Sequence, residues 1–363
     1  MNKWAYSFIL ILFIIMSVLI KCIYMIKGGQ WTDNRSHFNN FSSTDINNSS
    51  KETEIKSDNN ILNIEDIIRM IGCEEITYNS EDTFSVAILD SGTFPHDNFS
   101  NSNEKIIHFI DFVNKIEVPY DDNGHGTAVA GLIVSDSPNY KGVAPFVDIV
   151  SVKVLDYKGQ CNKNTLLRGI QWVIDNKEKY NIKIMNISIG IPTDDYDEVS
   201  KKIDEAYSNG IFVVTSVGNY KDSSEKMYSP AISDSAIAVG AIDEQEIKLD
   251  FDYHIADFSL EWETPNSKHK PDIIAPGKNI LTMQSNIYYK GKGDITRTDL
   301  YKINSGTSLS SAIVTGFVAN LIYKNPKISV EKIKSMLYEN CKEIKIGDKK
   351  EYFIYYKGEE EVE

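Results

Sequence analysis

Between Ser85 and Thr215 short apolar, β-branched runs alternate with segments of helical spacing, and this alternation constrains the fold more than any other feature. The runs are Ser85–Leu89 (SVAIL), Asp148–Leu155 (DIVSVKVL), Ile182–Ile189 (IKIMNISI) and Ile211–Thr215 (IFVVT), with helical segments at Thr165–Lys177 and Asp197–Ser208. Strands that are apolar throughout are buried on both faces, which predicts a mostly parallel sheet covered by helices on each side. The expected fold is therefore α/β, a doubly wound sheet whose ligands sit beyond the carboxyl ends of its strands. No internal repeat is visible.

Composition narrows the function classes. A hydrophobic fraction of 42% and a charged fraction of 25% over 363 residues are those of a globular protein. With 38 basic and 52 acidic side chains the formal charge is −14. That surface repels a phosphate backbone, so nucleic-acid binding is not expected, and it weakly favours a cationic partner at long range. The four cysteines (Cys22, Cys73, Cys161, Cys341) form no CxxC motif and have no His-rich companion spacing, which argues against zinc. No glycine-rich phosphate loop follows the first strand, which sets aside a nucleotide-binding protein.

The amino terminus carries an address. Trp4 to Ile20 is uncharged, and the apolar stretch 4–26 is 23 residues, long enough to span a bilayer as a helix. It lacks a small-x-small cleavage site, and Lys21 precedes Cys22 where a lipoprotein signal needs a small residue. An uncleaved signal-anchor at 1–27 is expected, with the bulk of the chain outside the cytoplasm; a cleaved secretory signal is the competing reading. A buried core helix is disfavoured because no other segment reads as apolar on all faces to receive it. Residues 32–60 hold seven Asn and six Ser, too little apolar surface to offset ordering entropy, so 28–60 is expected to be a flexible stalk. Ile61–Gly72 is expected to be a short amphipathic helix opening a domain at 61–348, with 349–363 an acidic tail. Outside the membrane segment three cysteines allow at most one disulfide, so the fold does not depend on one.

Four short segments carry chemistry. Val86–Gly92 (VAILDSG) is a buried strand delivering Asp90 at its carboxyl end. Asn123–Gly131 (NGHGTAVAG) puts His125 at the start of a helix of small residues, which lets that helix press against the sheet. Ser216–Asn219 (SVGN) ends an apolar strand with an amide, and Asn304–Leu309 (NSGTSL) places Ser308 in the first turn of a helix expected at Leu309–Tyr323. Taken singly these residues read as a turn carboxylate, a structural histidine, a turn amide and a capping serine. Together, in the order Asp, His, Asn, Ser, they fit nucleophilic catalysis. A serine hydroxyl needs a base to take its proton, an imidazole titrating near neutrality supplies it, and a carboxylate fixes the imidazole tautomer. The Asn219 amide and the Ser308 N–H are candidate donors to an oxyanion.

That order resembles the subtilisin family of serine peptidases, over roughly residues 71–340. Gly142–Pro145 (GVAP), Val152–Leu155 (VKVL), Ala238–Ala241 (AVGA) and Lys270–Gly277 (KPDIIAPG) match further landmarks in the right order. The resemblance implies a catalytic set of Asp90, His125 and Ser308, with Asn219 at the oxyanion. It also implies an extended peptide lying as an added strand between Gly159, Gln160, Cys161 and Ser188, Ile189, Gly190. Ser216, Val217 and Gly218 would wall the first side-chain pocket, and Met227–Pro230 would lie near its rim. Asp222 and Glu225 are either a solvated loop or a preference for a basic side chain. Cys161 is either a thiol within reach of the cleft or a small apolar filler.

The sequence departs from the family at three places. Ala312 and Ile313 stand where members commonly have proline and histidine. The oxygen donors Asp136, Ser137 and Asn139 are too few and too loosely spaced for a calcium cage, so neither metal nor cofactor is assigned. The segment between the apolar terminus and the domain is too short for a folded pro-segment, and folding without one is expected. The expected function is an extracytoplasmic serine endopeptidase, monomeric, acting on exported peptides or proteins. A tether and an acidic surface suit maturation of a cationic peptide, as lantibiotic leader peptidases of the family perform it, while general degradation is the competing role. The alternative from another class is an inactive relative kept as a peptide-binding scaffold.

Overall fold

The computed structural model describes residues 61–74, 76, 78, 83–99, 105–219, 227–243, 254–291, 300–347 and 349–357. The anchor expected at 1–27, the stalk at 28–60, Asp222 and Glu225, and residues 358–363 lie outside the described residues. Among the described residues no helix is long and apolar enough to cross a membrane.

The apolar runs form a ten-stranded sheet. From one edge its order is Cys341–Ile346, Lys349–Ile354, Ile273–Pro276, Ala236–Asp243, Phe212–Ser216, Ile182–Ile187, Ser85–Asp90, Asp148–Lys153 and Ile106–Asp111, with His254–Ile255 paired antiparallel to Ala236–Asp243. The pairings from Lys349–Ile354 across to Ile106–Asp111 are parallel. After Ser85–Asp90 the chain moves out to the Ile106 edge and returns through Asp148–Lys153. It then crosses to Ile182–Ile187 on the other side of the first strand. Ser85–Asp90 is therefore the strand at which the winding reverses, the position where open α/β sheets form a crevice.

Burial on both faces explains the apolar runs. Val86 and Ile88 enter one core with the helices His125–Val134, Thr307–Lys324 and Val330–Glu339. Ala87 and Leu89 enter the other, with Lys163–Asn176 and Glu198–Ser208. Helix ends follow their caps. The helix expected from Thr165 starts at Lys163 because the Asn162 side chain accepts the Thr165 N–H at 2.9 Å, and Asp197 caps Glu198–Ser208 in the same way.

Thr307–Lys324 is buried on every side through Ile322, its serines, threonines and Asn320 included, at the centre of the domain. One expectation is corrected. Residues 349–354, expected to begin an acidic tail, form a strand: Lys349–Ile354 pairs with Cys341–Ile346 and, through Ile274 and Phe353, with Ile273–Pro276. The boundary expected at 348 falls inside this hairpin. Within it Glu351 and Phe353 point inward and are buried.

One close approach positions the histidine helix. A Cβ on Gly126 would lie 2.0 Å from the Gly92 carbonyl oxygen and 3.2 Å from the Asp90 Cβ, so only glycine lets the helix start against the strand end. Gly126→Ala should therefore destabilise the domain by about 1–3 kcal/mol through overpacking, measured by denaturant unfolding. An unchanged midpoint would mean the helix can retreat without cost.

Candidate active site

Asp90 ends the reversal strand, is 1% exposed, and accepts the Ser91 N–H at 2.7 Å. Its two oxygens lie 2.8 and 2.9 Å from Nδ1 of His125, whose side chain is 32% exposed. A carboxylate only accepts, so Nδ1 carries the proton and Nε2 of the neutral ring is left with a lone pair. Burial pulls the His125 pKa down, but the Asp90 charge and hydrogen bond, with the charge of Asp121, outweigh it. The net position is above the ordinary 6.5.

Asp121 holds the loop that delivers the ring. It is fully buried; one oxygen accepts the Ser91 hydroxyl at 2.8 Å and the Asn123 and Gly124 N–H groups at 3.1 and 2.8 Å. The other accepts the Thr127 N–H and hydroxyl at 2.9 and 2.7 Å. Two donors of the first helical turn region are thus satisfied without a side-chain cap at Gly124. Beside it Lys153, fully buried, donates at 2.6 Å both to the Ser91 carbonyl and to Asp122.

Ser308 lies in the first turn of Thr307–Lys324, where helix N–H groups have no intrahelical acceptor. Asn219 follows the strand Phe212–Ser216, and its Oδ1 accepts both the N–H and the hydroxyl of Thr307 at 2.7 Å. Those two donors decide the amide orientation, leaving Nδ2 as the outward donor. Gly306 borders the same space: a Cβ there would sit 3.3 Å from Asn219 Nδ2 and 3.8 Å from Ser308 Oγ. His125, Asn219, Gly306 and Ser308 line one cleft of about 660 Å³.

The sequence matches the Subtilase family (Peptidase_S8) over residues 81–355. The chain belongs to that family. It is 35% identical over 268 residues to Serine protease AprX of Bacillus subtilis (strain 168), an alignment covering 70% of this chain and 60% of that protein's length. It is 30% identical to Subtilisin DY of Bacillus licheniformis, covering 75% of this chain and 87% of the relative. The crystal structure of a cold adapted subtilisin-like serine proteinase superposes with a TM-score of 0.62 at 24% identity, over 77% of this chain and 91% of the other, a likeness of fold.

The segments that the subtilase resemblance assigns to substrate are disposed unequally. Gly159–Cys161 is a closed turn: Asp156 N–H donates to the Gln160 carbonyl at 3.0 Å, and the Asp156 side chain accepts the Gln160 N–H at 2.9 Å. Both backbone groups of Gln160 are thereby engaged inside the turn, the carbonyl keeping a second lone pair. Cys161, part-buried, packs against the second core, and burial pushes its thiol up to about 12. The Ser188 hydroxyl turns inward, to Ser311 at 2.9 Å and the Ser308 carbonyl at 3.4 Å, so it braces the serine helix. Ile189 is buried, and Tyr228 covers Gly190. Ser216 and Val217 are buried; the Val217 N–H donates to Val239 and the Gly218 carbonyl accepts from Leu260, bracing this wall from behind.

Cys73, Cys161 and Cys341 are free thiols. Asp136–Ser137 and Tyr140–Lys141 form a two-residue ladder. Among the described residues one group has metal-ligand spacing: Glu261, His269 and Glu351, far from the cleft in sequence, with ligand atoms within 4.8 Å of one another. Its members already have partners, His269 contacting Glu351 at 3.2 Å and Lys349 contacting Glu261 at 2.8 Å.

Sequence reasoning missed Asp121 and Thr307, whose work is to accept from or donate to backbone and amide groups. It also missed the wall Met283–Tyr288. The raised His125 pKa has a stability consequence. Its contribution is fully present below pH 6.5 and is lost as pH rises through the folded-state value. NMR titration of the ring should show a midpoint above 6.5, and Asp90→Asn should lower it. An unmoved midpoint would mean the Asp90 charge does not reach the ring.

Proposed function

We propose that this subtilase domain is a serine endopeptidase in which Ser308 is the nucleophile, His125 the general base and acid, and Asp90 the group that holds the imidazole. The observation that supports this most is the two-oxygen contact of Asp90 with His125 Nδ1, in a cleft shared with Ser308 and a pre-oriented Asn219 amide. In acylation Ser308 Oγ adds to the peptide carbonyl carbon while its proton passes to His125 Nε2. The C–N bond then breaks as His125 returns that proton to the leaving nitrogen. Water next adds to the acyl ester with the same base, releasing the acid and regenerating the hydroxyl. The oxyanion formed at each addition is met by Asn219 Nδ2 and the Ser308 N–H.

The location rests on the apolar stretch at 4–26, which suits a tether with the catalytic domain outside the cytoplasm, acting as a monomer on exported peptides or proteins. Maturation of one peptide and general degradation are separated by substrate breadth. If the tether operates, the full-length chain stays with the membrane pellet through an alkaline carbonate wash; recovery in the wash would assign it a cleaved signal instead.

Ser308→Ala should abolish labelling by a fluorophosphonate probe and reduce kcat on the order of 10⁶-fold, as for a subtilisin nucleophile. Asn219→Ala should lower kcat about 10²–10³-fold with KM little changed, the magnitude known for this donor in subtilisin. Because the neutral imidazole is the active form and its pKa is raised, kcat/KM should climb with pH through a midpoint above 6.5. A wild-type protein that binds peptides yet never labels at Ser308 would establish the inactive-scaffold alternative.

A further inference from the structure

The cleft beside His125 and Ser308 has a polarity that the overall charge does not suggest. Its walls are Asn123–His125 with Ala128, the stretch Met283–Tyr288, and Lys302 with Asn304–Gly306, Ser308 and Leu309. In a chain of formal charge −14, no carboxylate lines it among the described residues, and Lys302 is its lysine. Lys302 makes no ion pair with a described residue.

Its placement is fixed by the strand that carries it. Tyr301–Asn304 pairs antiparallel with Ile280–Met283, opposing Lys302 to Thr282. Thr282 Oγ1 donates to the Lys302 carbonyl at 2.9 Å and accepts the Asn304 amide at 2.6 Å. Lys302 and Asn304 line the cleft, while the Tyr301 ring stacks on Tyr140 at 5.2 Å.

None of Gly159–Cys161 or Ser188–Gly190, which the family resemblance gives to the substrate strand, or Ser216–Gly218, which it gives to the first pocket, lines this cavity. It therefore lies on the leaving-group side of Ser308. Four residues separate Lys302 from Gly306, roughly 13 Å at about 3.3 Å per residue. An extended substrate advances at the same pitch, and Lys302, exposed, lines the same cleft as Ser308. Its ammonium therefore meets the second or third residue after the scissile bond.

We propose that Lys302 is a specificity-determining residue selecting an anionic side chain, glutamate or aspartate, at the second or third position after the cut. This rests on the peptidase reading above and adds the chemistry of its leaving-group side. It also separates two effects of charge: the acidic surface favours cationic substrates at long range, while the cleft favours a carboxylate at one place.

The test uses the full chain and internally quenched peptides of one sequence, carrying Glu, Gln or Lys at each of these two positions. A peptidyl p-nitroanilide, which has no residue after the cut, is run alongside on the wild type. The readout is the Glu-to-Lys ratio of kcat/KM within each protein, which is independent of how much enzyme is folded. For the wild type at low salt the ratio should be about 2–30, the combined effect of one exposed attraction to glutamate and one like-charge repulsion of lysine. It should collapse toward 1 in Lys302→Gln, invert in Lys302→Glu, and shrink in molar salt. Anilide turnover with a wild-type ratio near 1, or a preference that survives in Lys302→Gln, overturns the assignment and leaves the peptidase reading standing. No turnover of anilide or peptides by the wild type overturns both.

Discussion

The contact between Gly126 and the end of the first strand is the constraint on which the cleft depends. A helix normally keeps its neighbour at side-chain distance, but here the missing Cβ lets backbone approach backbone. Only at that separation does Nδ1 of His125 meet both oxygens of a carboxylate that is itself within the sheet. Burying Asp90 is unfavourable unless its charge is met, and the groups that meet it are the Ser91 N–H and the ring. The carboxylate and the imidazole are thus mutually required.

The other members arrive by a general property of parallel sheets. Strands that run the same way end on the same side, so Asp90 and Asn219, each following a strand, come to one edge although 129 positions apart in the chain. Helix starts lie on that edge too, which brings His125 and Ser308 there. Thr307 then links two of these arrivals: it precedes Ser308 in the helix and fixes the Asn219 amide with two donors. Any displacement of the helix start moves both the serine and the amide, so their spacing is kept as a unit.

What could be read in the sequence was what burial writes in composition. Strands covered on both faces are apolar throughout, so Ser85–Asp90, Ile182–Ile187 and Phe212–Ser216 were legible as strands. The residues at their ends were then legible as candidates for chemistry. The hairpin Cys341–Ile354 was not legible, because its outward positions carry lysine and glutamate and its inward ones include Glu351. Asp121 and Thr307 leave no periodic trace, since they act through single hydrogen bonds to backbone or amide. At Gly159–Cys161 the sequence also hid a local bond: an aspartate three residues before Gly159 accepts the Lys158 and Gln160 N–H groups and shapes the turn.

The distribution of charge around the ring follows from the same geometry. Asp90 and Asp121 act on His125; Asp122 is buried as well, and so is Asp111 at the end of the edge strand Ile106–Asp111. Each is held by donors: Asp111 by three backbone N–H groups and the Tyr120 hydroxyl, Asp122 by Lys153. The charges of Asp90 and Asp121 raise the His125 pKa, which favours the imidazolium that forms during proton transfer. In front of the ring the described walls offer amides, hydroxyls and one lysine. A positive charge is therefore stabilised on His125, whereas an ammonium on the leaving group meets no counter-charge in those walls. This asymmetry lets one face of the cleft hold a proton while the other gives up an amine.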